Sequence, residues 1–323
     1  MNSEKCKFIL IFSTIICLLC ANLGSEPSIL IPYGASALSD PSIFIDSDSD
    51  FIALGFDGNG DSTNPYLIED FVIDVSGSDN GIFISGTTKH FIIQNCTLTT
   101  EYLGIRVDDV AAGTALIRNN TCTSKTNDGG GIAVAGTNVM IVNNTCSQFI
   151  QGIHSNVASN IHIINNTILN SAWQGINIRF TSNSQIIGNL IKNSEEHAIA
   201  IVKSSSSGNE VYSNTIIDNT QTNSYIIDGV SMGRPDSQGY DEGANNHWYN
   251  TTTQIGNYWS DCSGTGGYSI DGSSSSVDEY PLNCGDSPAI PGFLGLGIIS
   301  VLCILGFSFF IHKKRVNRRV YFF

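Results

Sequence analysis

The hexapeptide IVNNTC at residues 141–146 recurs in altered form along the chain, at intervals of 22 to 25 residues. The recurring rows are FIIQN, LIRNN, MIVNN, HIINN, QIIGN and EVYSN, which end at Asn95, Asn120, Asn144, Asn166, Asn189 and Asn214. A second motif lies between these rows and begins at Gly81, Gly104, Gly131, Gly152, Gly175 and Ala198. A period of this length indicates a stack of structural repeats.

Each repeat predicts short β-strands that are joined by tight turns. The rows alternate apolar and polar residues and are rich in Ile and Val, which is typical of strands. The rows lack the Leu skeleton of leucine-rich repeats and the long amphipathic pattern of a helix. Strands of successive repeats would pair in parallel, about 4.8 Å apart. The sequence therefore predicts an all-β fold, a single-stranded parallel β-helix of about six to seven coils that is capped at both ends.

The recurring Asn is predicted to form a ladder along the stack. Asn tolerates left-handed backbone conformations and closes local turns, and stacked side-chain amides can bond one another. Taking the last residue of each row as the rung gives six rungs without interruption: Asn95, Asn120, Asn144, Asn166, Asn189 and Asn214. The residues three places before and two places after each rung are predicted to point inward, although Thr97 breaks the second of these columns.

Several Asn-x-Thr sequons predict glycosylation sites outside the ladder. They begin at Asn119, Asn143, Asn165 and Asn250, and their amides could carry glycan. Asn95 also begins a sequon, but as a predicted rung it would be inaccessible. Turn chemistry alone is the alternative explanation of the Asn-Asn pairs.

Apolar segments at both ends predict that the middle of the chain lies outside the cell membrane, in the extracellular space or the periplasm. The segment 8–23 follows two Lys residues, as in a signal peptide. The segment 289–311 carries no charge and is long enough to cross a bilayer, and a basic, cytoplasmic tail follows it. The expected order is a signal peptide (1–25), an N-terminal cap (26–78), the β-helix (79–228), a C-terminal cap (229–285), a transmembrane helix (286–311) and a cytoplasmic tail (312–323).

Charge and cysteine content narrow the range of functions. The formal net charge is −14, and the part outside the membrane is more acidic still because the basic residues concentrate in the tail. Such a surface repels nucleic acid and anionic lipid. Cysteines outside the apolar segments form no CxxC pair, which argues against a zinc site. Cys262 and Cys284 are predicted to form a disulfide, whereas Cys122 and Cys146 are expected to stay reduced.

The flanking motifs resemble the NosD-like right-handed β-helix proteins. The resemblance rests on DGNGDSTNPYLIEDFVI from Asp57, on the repeat rows, and on GNYWSD (256–261) followed by DEYPL (278–282). It covers nearly all of residues 57–282 and implies a protein outside the cytoplasm. The founding member assists copper-site assembly, but the fold also serves sugar-processing enzymes, so the resemblance implies no single activity.

The outward face of the Gly-Ile motif is the candidate ligand-binding surface, with glycan as the favoured partner. It aligns Arg106, His154 and Asn177, with Arg179 just beyond and Trp173 just before the motif. Trp offers an apolar ring with a polar edge, and Arg and Asn offer hydrogen-bond donors. An ordinary solvated strand is the alternative interpretation. We therefore expect a membrane-anchored binding or structural protein.

Two other functions stay open at this point: a polysaccharide lyase, epimerase or hydrolase, and a NosD-type accessory protein for metalloenzyme maturation. Glycoside hydrolysis needs two facing carboxylates, and the outward column of the Gly-Ile motif contains none. Copper handling needs clustered His, Met or Cys, which are dispersed here. Residues 57–61 have calcium-loop spacing, but the twelfth position falls on Ile68, so a structural turn is expected. No catalytic residue, cofactor or metal ligand is predicted.

Overall fold

The computed structural model describes residues 39–227, 229–282 and 284. The predicted signal peptide, transmembrane helix (286–311) and cytoplasmic tail lie outside these residues. No helix within the described part is long and apolar enough to cross a membrane.

The described chain winds through coils of three short strands each. In chain order the strands are β1 (Ile43–Ile45), β2 (Tyr66–Glu69), β3 (Val72–Asp74), β4 (Ile82–Ile84), β5 (Phe91–Gln94), β6 (Thr97–Thr100), β7 (Leu103–Val107), β8 (Ala115–Arg118), β9 (Thr121–Ser124), β10 (Gly130–Val134), β11 (Met140–Val142), β12 (Thr145–Ser147), β13 (Gln151–Ser159), β14 (His162–Ile164), β15 (Thr167–Leu169), β16 (Ile176–Ser182), β17 (Gln185–Ile187), β18 (Leu190–Lys192), β19 (Ile199–Val202), β20 (Glu210–Tyr212), β21 (Thr215–Ile217), β22 (Tyr225–Ile227), β23 (Val230–Met232), β24 (Gly239–Asp241), β25 (Tyr258–Trp259), β26 (Tyr268–Ser269) and β27 (Val277–Asp278). One short helix, α1, spans Asp50–Ala53.

Three parallel sheets form the faces of the β-helix. Face 1 is the 8-stranded sheet of β1, β4, β7, β10, β13, β16, β19 and β24. Face 2 is the 7-stranded sheet of β2, β5, β8, β11, β14, β17 and β20. Face 3 is the 8-stranded sheet of β3, β6, β9, β12, β15, β18, β21 and β25. The chain therefore completes seven coils, from β1–β3 to β19–β21, and β24 and β25 begin an eighth.

Stacked aliphatic residues fill the interior, as the alternation in the repeat rows requires. On face 2 one inward position pairs with its equivalent in every coil. Its occupants are Ile68, Ile93, Ile117, Ile141, Ile163, Ile186 and Val211, all almost fully buried. Burial of each such side chain stabilises the fold by about 1.5–3 kcal/mol.

The Asn ladder lies at the turn from face 2 to face 3. Asn144 is typical: its Nδ2 donates to Oδ1 of Asn166 (3.0 Å), and its Oδ1 accepts Nδ2 of Asn120 (3.0 Å). The ladder continues through Asn189 and Asn214. Each of these side chains is buried, so the ladder satisfies polar groups that water cannot reach.

Asn95, which the repeat predicted to be a rung, lies outside the ladder. The strand pairing aligns Gln94 with Arg118, so the equivalent of Asn120 is Cys96, whose backbone N–H donates to the Asn120 Oδ1 (3.0 Å). Asn95 is exposed and has a φ of +56°. The predicted register of this row was wrong by one residue, because its Asn occupies the outward turn position and the inward position holds Cys96.

Every outward Asn of this turn adopts the left-handed conformation that Asn tolerates. Asn119, Asn143 and Asn165 are exposed with φ values of +56°, +57° and +54°. Asn95 occupies the same outward turn position in its own coil, so its sequon faces outward as the other three do. Asn250, the remaining sequon, lies half-buried in the C-terminal region.

The β-helix extends beyond both boundaries that the repeat pattern suggested. Within the segment assigned to the N-terminal cap, β1–β3 pair in parallel with β4–β6 and form a complete coil. Phe51 of α1 stacks on Tyr66 at a centroid distance of 4.6 Å and covers the interior there. Within the assigned C-terminal cap, β24 and β25 extend faces 1 and 3.

A buried carboxylate ends the ladder in the C-terminal region. Asn214 Nδ2 donates to Asn257 Oδ1 (2.8 Å), and Asn257 Nδ2 donates to Asp278 Oδ2 (3.1 Å). The same oxygen accepts the Trp259 indole N–H (2.9 Å). A Cβ at Gly256 would overlap this carboxylate. These contacts explain why GNYWSD and DEYPL occur together: the first motif supplies the last rung, and the second supplies its acceptor.

The other two corners of the β-helix end in the same way. At the turn from face 1 to face 2, Asn246 Nδ2 donates to Oδ1 of the buried Asp241 (2.9 Å). At the turn from face 3 to face 1, Gln238 Nε2 donates to Asp261 Oδ1 (2.5 Å). Three carboxylates of the C-terminal region thus supply acceptors where the coils stop, one at each corner.

The cysteines have two different roles. Cys262 and Cys284 form a disulfide with a Cα–Cα distance of 5.3 Å, which is the pairing that the sequence predicts. Cys96, Cys122 and Cys146 are buried free thiols. Burial raises the pKa of Cys96 to about 12, which makes this thiol unreactive at neutral pH.

Candidate functional site

The outer surface of face 1 carries the side chains that the sequence marks as candidate ligands. One outward position pairs with its equivalent along the sheet. Its occupants from the second to the seventh coil are Phe83, Arg106, Ala133, His154, Asn177 and Ala200. Arg179 lies two residues further along β16, and Trp173 lies at the corner before β16 with 44% of its surface exposed. Arg106, His154 and Asn177 therefore lie in one column, with Arg179 and Trp173 on either side.

Arg106 is held by its neighbours in the coil. Its Nε lies 2.5 Å from Asp108 Oδ2, and its guanidinium lies 5.3 Å from the centre of the Phe83 ring. The carboxylate compensates much of the Arg106 charge. Arg106 is therefore less available to an anionic ligand than its position suggests.

His154 lies half-buried in the middle of the column. Burial lowers the pKa of His154, the nearby Arg179 lowers it further, and Asp108 opposes them. The imidazole is therefore neutral near pH 7, with one nitrogen that donates and one that accepts. Such a side chain can bond a sugar hydroxyl in either direction.

An exposed aromatic side chain beside this column was not predicted. Phe180 follows Arg179, is 43% exposed, and has a φ of +47°. The Arg179 guanidinium and the Lys203 ammonium lie 5.3 Å and 5.8 Å from the centre of its ring. Val157 occupies the matching position of the preceding coil, also exposed, with a φ of +55°. Left-handed backbone is unfavourable for such residues and often marks functional sites, but nothing in their residue types could have indicated it.

The hairpin of β22 and β23 covers one end of this surface. Tyr225 and Ile227 pack with Ala200, Val202 and Tyr240 in a separate apolar cluster. Ala200 and Tyr240 continue the outward column into the seventh and eighth coils. The open part of the surface therefore ends at the hairpin.

A buried polar network lies beside the hairpin. Gln174 donates its Nε2 to Glu196 Oε2, and its Oε1 accepts Asn177 Nδ2 (3.1 Å). The other oxygen of Glu196 accepts the backbone N–H of Ile226 in the hairpin (3.4 Å). Burial raises the pKa of Glu196 to about 7, while the bonds from Ile226 and Gln174 lower it.

Stability should fall as the pH rises from about 4.5 to about 7 because of Glu196. The folded state binds this proton more tightly than the unfolded chain does, so the free energy of unfolding decreases through that window. Glu196→Gln should flatten this slope in melting temperatures measured at several pH values. The exposed neighbouring variant Glu195→Gln should retain it. An unchanged slope in Glu196→Gln would contradict the assignment.

His197 belongs to the interior of the C-terminal region rather than to the candidate ligand-binding surface. Its Nε2 lies 3.1 Å from Asp271 Oδ2, and the rings of Tyr225 and Tyr240 lie against it. Burial lowers the pKa of His197, although Asp271 opposes this shift. The His–Asp pair therefore serves to hold the hairpin region on the last coils.

The acidic segment 57–61 forms a turn. Asp61 Oδ1 accepts the backbone N–H groups of Thr63 (3.0 Å) and Asn64 (2.8 Å). Hydrogen bonds from the Thr63 hydroxyl and from the Asn59 side chain contribute most to lowering the pKa of Asp61. Among the residues that the structure describes, no group of three or more His, Cys, Asp or Glu side chains is arranged to hold a metal ion.

Stacked three-strand coils with buried ladders define this chain as a parallel β-helix protein. The family model described as "Right handed beta helix region" matches residues 73–235. The match spans half of the chain, so the chain belongs to the right-handed β-helix family. It also supports the right-handed winding that the resemblance to the NosD-like proteins implies. No curated protein and no solved structure matches the chain.

Proposed function

We propose that this chain is a surface glycan-binding protein whose face 1 holds an acidic polysaccharide. Two cations beside an exposed aromatic ring carry this proposal: the Arg179 guanidinium and the Lys203 ammonium lie 5.3 Å and 5.8 Å from the centre of the Phe180 ring. Between residues 39 and 284 the sequence has eight Lys and Arg residues against 26 Asp and Glu residues. Three of the eight, Arg106, Arg179 and Lys203, lie on or directly beside the strands of face 1.

The shape and chemistry of face 1 support a polymer rather than a small anion. Coils repeat about 4.8 Å apart, so equivalent contacts recur along the surface. Phe180 offers an apolar platform next to two cations, and the half-buried His154 offers hydrogen bonds to hydroxyl groups. Asn177 is only 6% exposed and donates to Gln174, so it belongs to the buried network rather than to this surface. A chain of uronic acid units has all three partners: carboxylates, apolar C–H faces and hydroxyls.

The remaining parts of the proposal rest on the sequence. The segment 286–311 would anchor the chain, so that the β-helix is displayed outside the membrane with its basic tail in the cytoplasm. The resemblance of GNYWSD and DEYPL to the NosD-like proteins supports a location outside the cytoplasm.

The Arg179→Ala/Lys203→Ala double variant should bind polygalacturonate about tenfold more weakly than the wild-type chain. Two charge-assisted contacts are lost, and each tenfold step corresponds to about 1.4 kcal/mol. Binding of the wild-type chain should also weaken with salt, because salt screens exposed charges. Arg106→Ala should have a smaller effect, because Asp108 already compensates its charge. Affinities can be measured with the full-length chain by calorimetry.

The matched control is Arg118→Ala/Lys192→Ala, which removes the same two charge types from the outer surfaces of faces 2 and 3. This variant should bind as the wild type does, with melting curves to show that both double variants are folded. Equal losses in the two variants would mean that binding follows net charge rather than face 1. Failure of the wild-type chain to bind polyuronates would refute the proposal.

A further inference from the structure

A groove of about 580 Å³, lined mostly by residues with polar side chains, runs along a different side of the β-helix from face 1. It lies where the outer surface of face 2 meets the turn that leads into it from face 1. Two rows of side chains line it, one from the turns and one from the strands. The proposed function uses neither row.

The first row consists of turn residues with free carboxamides. Asn138, Asn160, Asn183 and Asn245 have φ values of +56°, +54°, +52° and +55°. The internal bonds of this corner use other residues, such as Asn246. Within the described chain no hydrogen bond involves the four side-chain amides of the row. Gly208 occupies the same turn in the seventh coil with a φ of +67°, so this backbone conformation alone does not require an amide.

The second row consists of residues that point outward from face 2, three in its strands and the last, His247, in an isolated bridge to Glu210 beyond β20. His162, Gln185, Glu210 and His247 occupy matching positions in four successive coils. Gln185 Nε2 donates to Glu210 Oε2 (3.1 Å). No Lys or Arg is among the described residues that line the groove. Donors and acceptors therefore recur coil by coil, and the single charged partner is a carboxylate.

We infer that this groove binds a neutral polysaccharide chain that lies along the axis of the β-helix. Sugar hydroxyls both donate and accept hydrogen bonds, and carboxamides and imidazoles complement them in both directions. A regular coil spacing suits a regular polymer. The absence of a cation from the lining, together with Glu210, disfavours the acidic polymers that face 1 is proposed to hold.

The test uses the full-length chain and soluble, uncharged polysaccharides, namely a glucan, a mannan and a galactan, with polygalacturonate for comparison. The Asn160→Gly/Asn183→Gly variant should bind the preferred neutral polymer about tenfold more weakly, because two amide hydrogen-bonding groups are lost. The matched control is Asn143→Gly/Asn165→Gly, which removes the same groups from the same backbone conformation at the other edge of face 2. Gly accepts this conformation readily, and melting curves verify that both variants fold.

Neutral binding that weakens only in the first variant supports the inference. Equal binding by the two Gly variants, or no binding of any neutral polymer at millimolar concentration, overturns it. The Arg179→Ala/Lys203→Ala variant should keep its neutral binding, and a loss there would show a single site on face 1 and overturn the inference. If neutral binding weakens only in Asn160→Gly/Asn183→Gly while polygalacturonate does not bind the wild-type chain, the inference about the groove is supported and the proposed function of face 1 is refuted.

Discussion

Replacing Asp278 by Ala should lower the free energy of unfolding by about 4 kcal/mol, because each orphaned buried donor costs about 1–3 kcal/mol. Asp278 Oδ2 accepts the backbone N–H of Asn257 (2.7 Å) and the indole N–H of Trp259 (2.9 Å). Its Oδ1 accepts the backbone N–H of Tyr280 (3.1 Å). Burial raises the pKa of Asp278 and the bonds from Trp259 and Asn257 lower it, so the ionised carboxylate depends on these donors.

Two further variants separate this role from a general effect of charge. Asp278→Asn keeps one acceptor oxygen in place, so its loss of stability should be intermediate. Glu279→Ala removes an exposed carboxylate at the next position and should change stability by less than about 0.5 kcal/mol. Urea melts of the three variants provide the comparison. If Asp278→Ala melts as Glu279→Ala does, the ladder does not depend on this carboxylate.

The repeat made the coils predictable because two local signals agree. Alternation of apolar and polar residues marks the strands, and an Asn-Asn pair marks the turn between faces 2 and 3. A row with a single Asn does not show which position that Asn occupies: Asn189 and Asn214 are rungs, whereas Asn95 takes the outward position. The sequence did contain a signal of the correct register. The position two residues after each rung is apolar in the other rows but is Thr97 here, and moving the rung by one residue places the buried Leu98 at that position instead.

The end of the ladder could not be derived from the period. Asn257 follows Asn214 after 43 residues, because the segment between them includes the hairpin of β22 and β23. An alignment on a period near 24 residues therefore stops one rung too early. The pairing of Asn257 with Asp278 is a contact between segments without any periodic relation, and the sequence shows it only as two motifs that occur together.

The candidate surface was predictable in part for a similar reason. Strand alternation places Arg106, His154 and Asn177 on one outward column, since equivalent positions of a parallel stack pair with each other. The charge compensation of Arg106 and the exposed Phe180 depend on side-chain conformation and on a left-handed turn. Neither feature repeats with the period of the sequence, because each occurs in a single coil or in two neighbouring coils.

Replacing Asn144 by Ala should also lower the free energy of unfolding by about 4 kcal/mol, since buried polar groups in two neighbouring coils lose their partners. The Asn144 Oδ1 accepts both the backbone N–H and the Nδ2 of Asn120, each at 3.0 Å. Its Nδ2 donates to the Ile117 carbonyl (3.0 Å) and to Asn166 Oδ1 (3.0 Å). Ala supplies none of these four contacts, and the site is too enclosed for bulk water to replace them.

The adjacent Asn143 provides the matched control, because it has the same side chain as Asn144 but points outward rather than inward. It is exposed, and its φ of +57° lies in the left-handed region. Asn143→Ala would add a backbone penalty of about 1–2 kcal/mol, so Asn143→Gly is the cleaner comparison and should change stability little. Urea denaturation of Asn144→Ala and Asn143→Gly measures the difference directly. Similar midpoints would mean that the ladder contributes no more than its turn geometry, and stability would then rest on the stacked aliphatic interior alone.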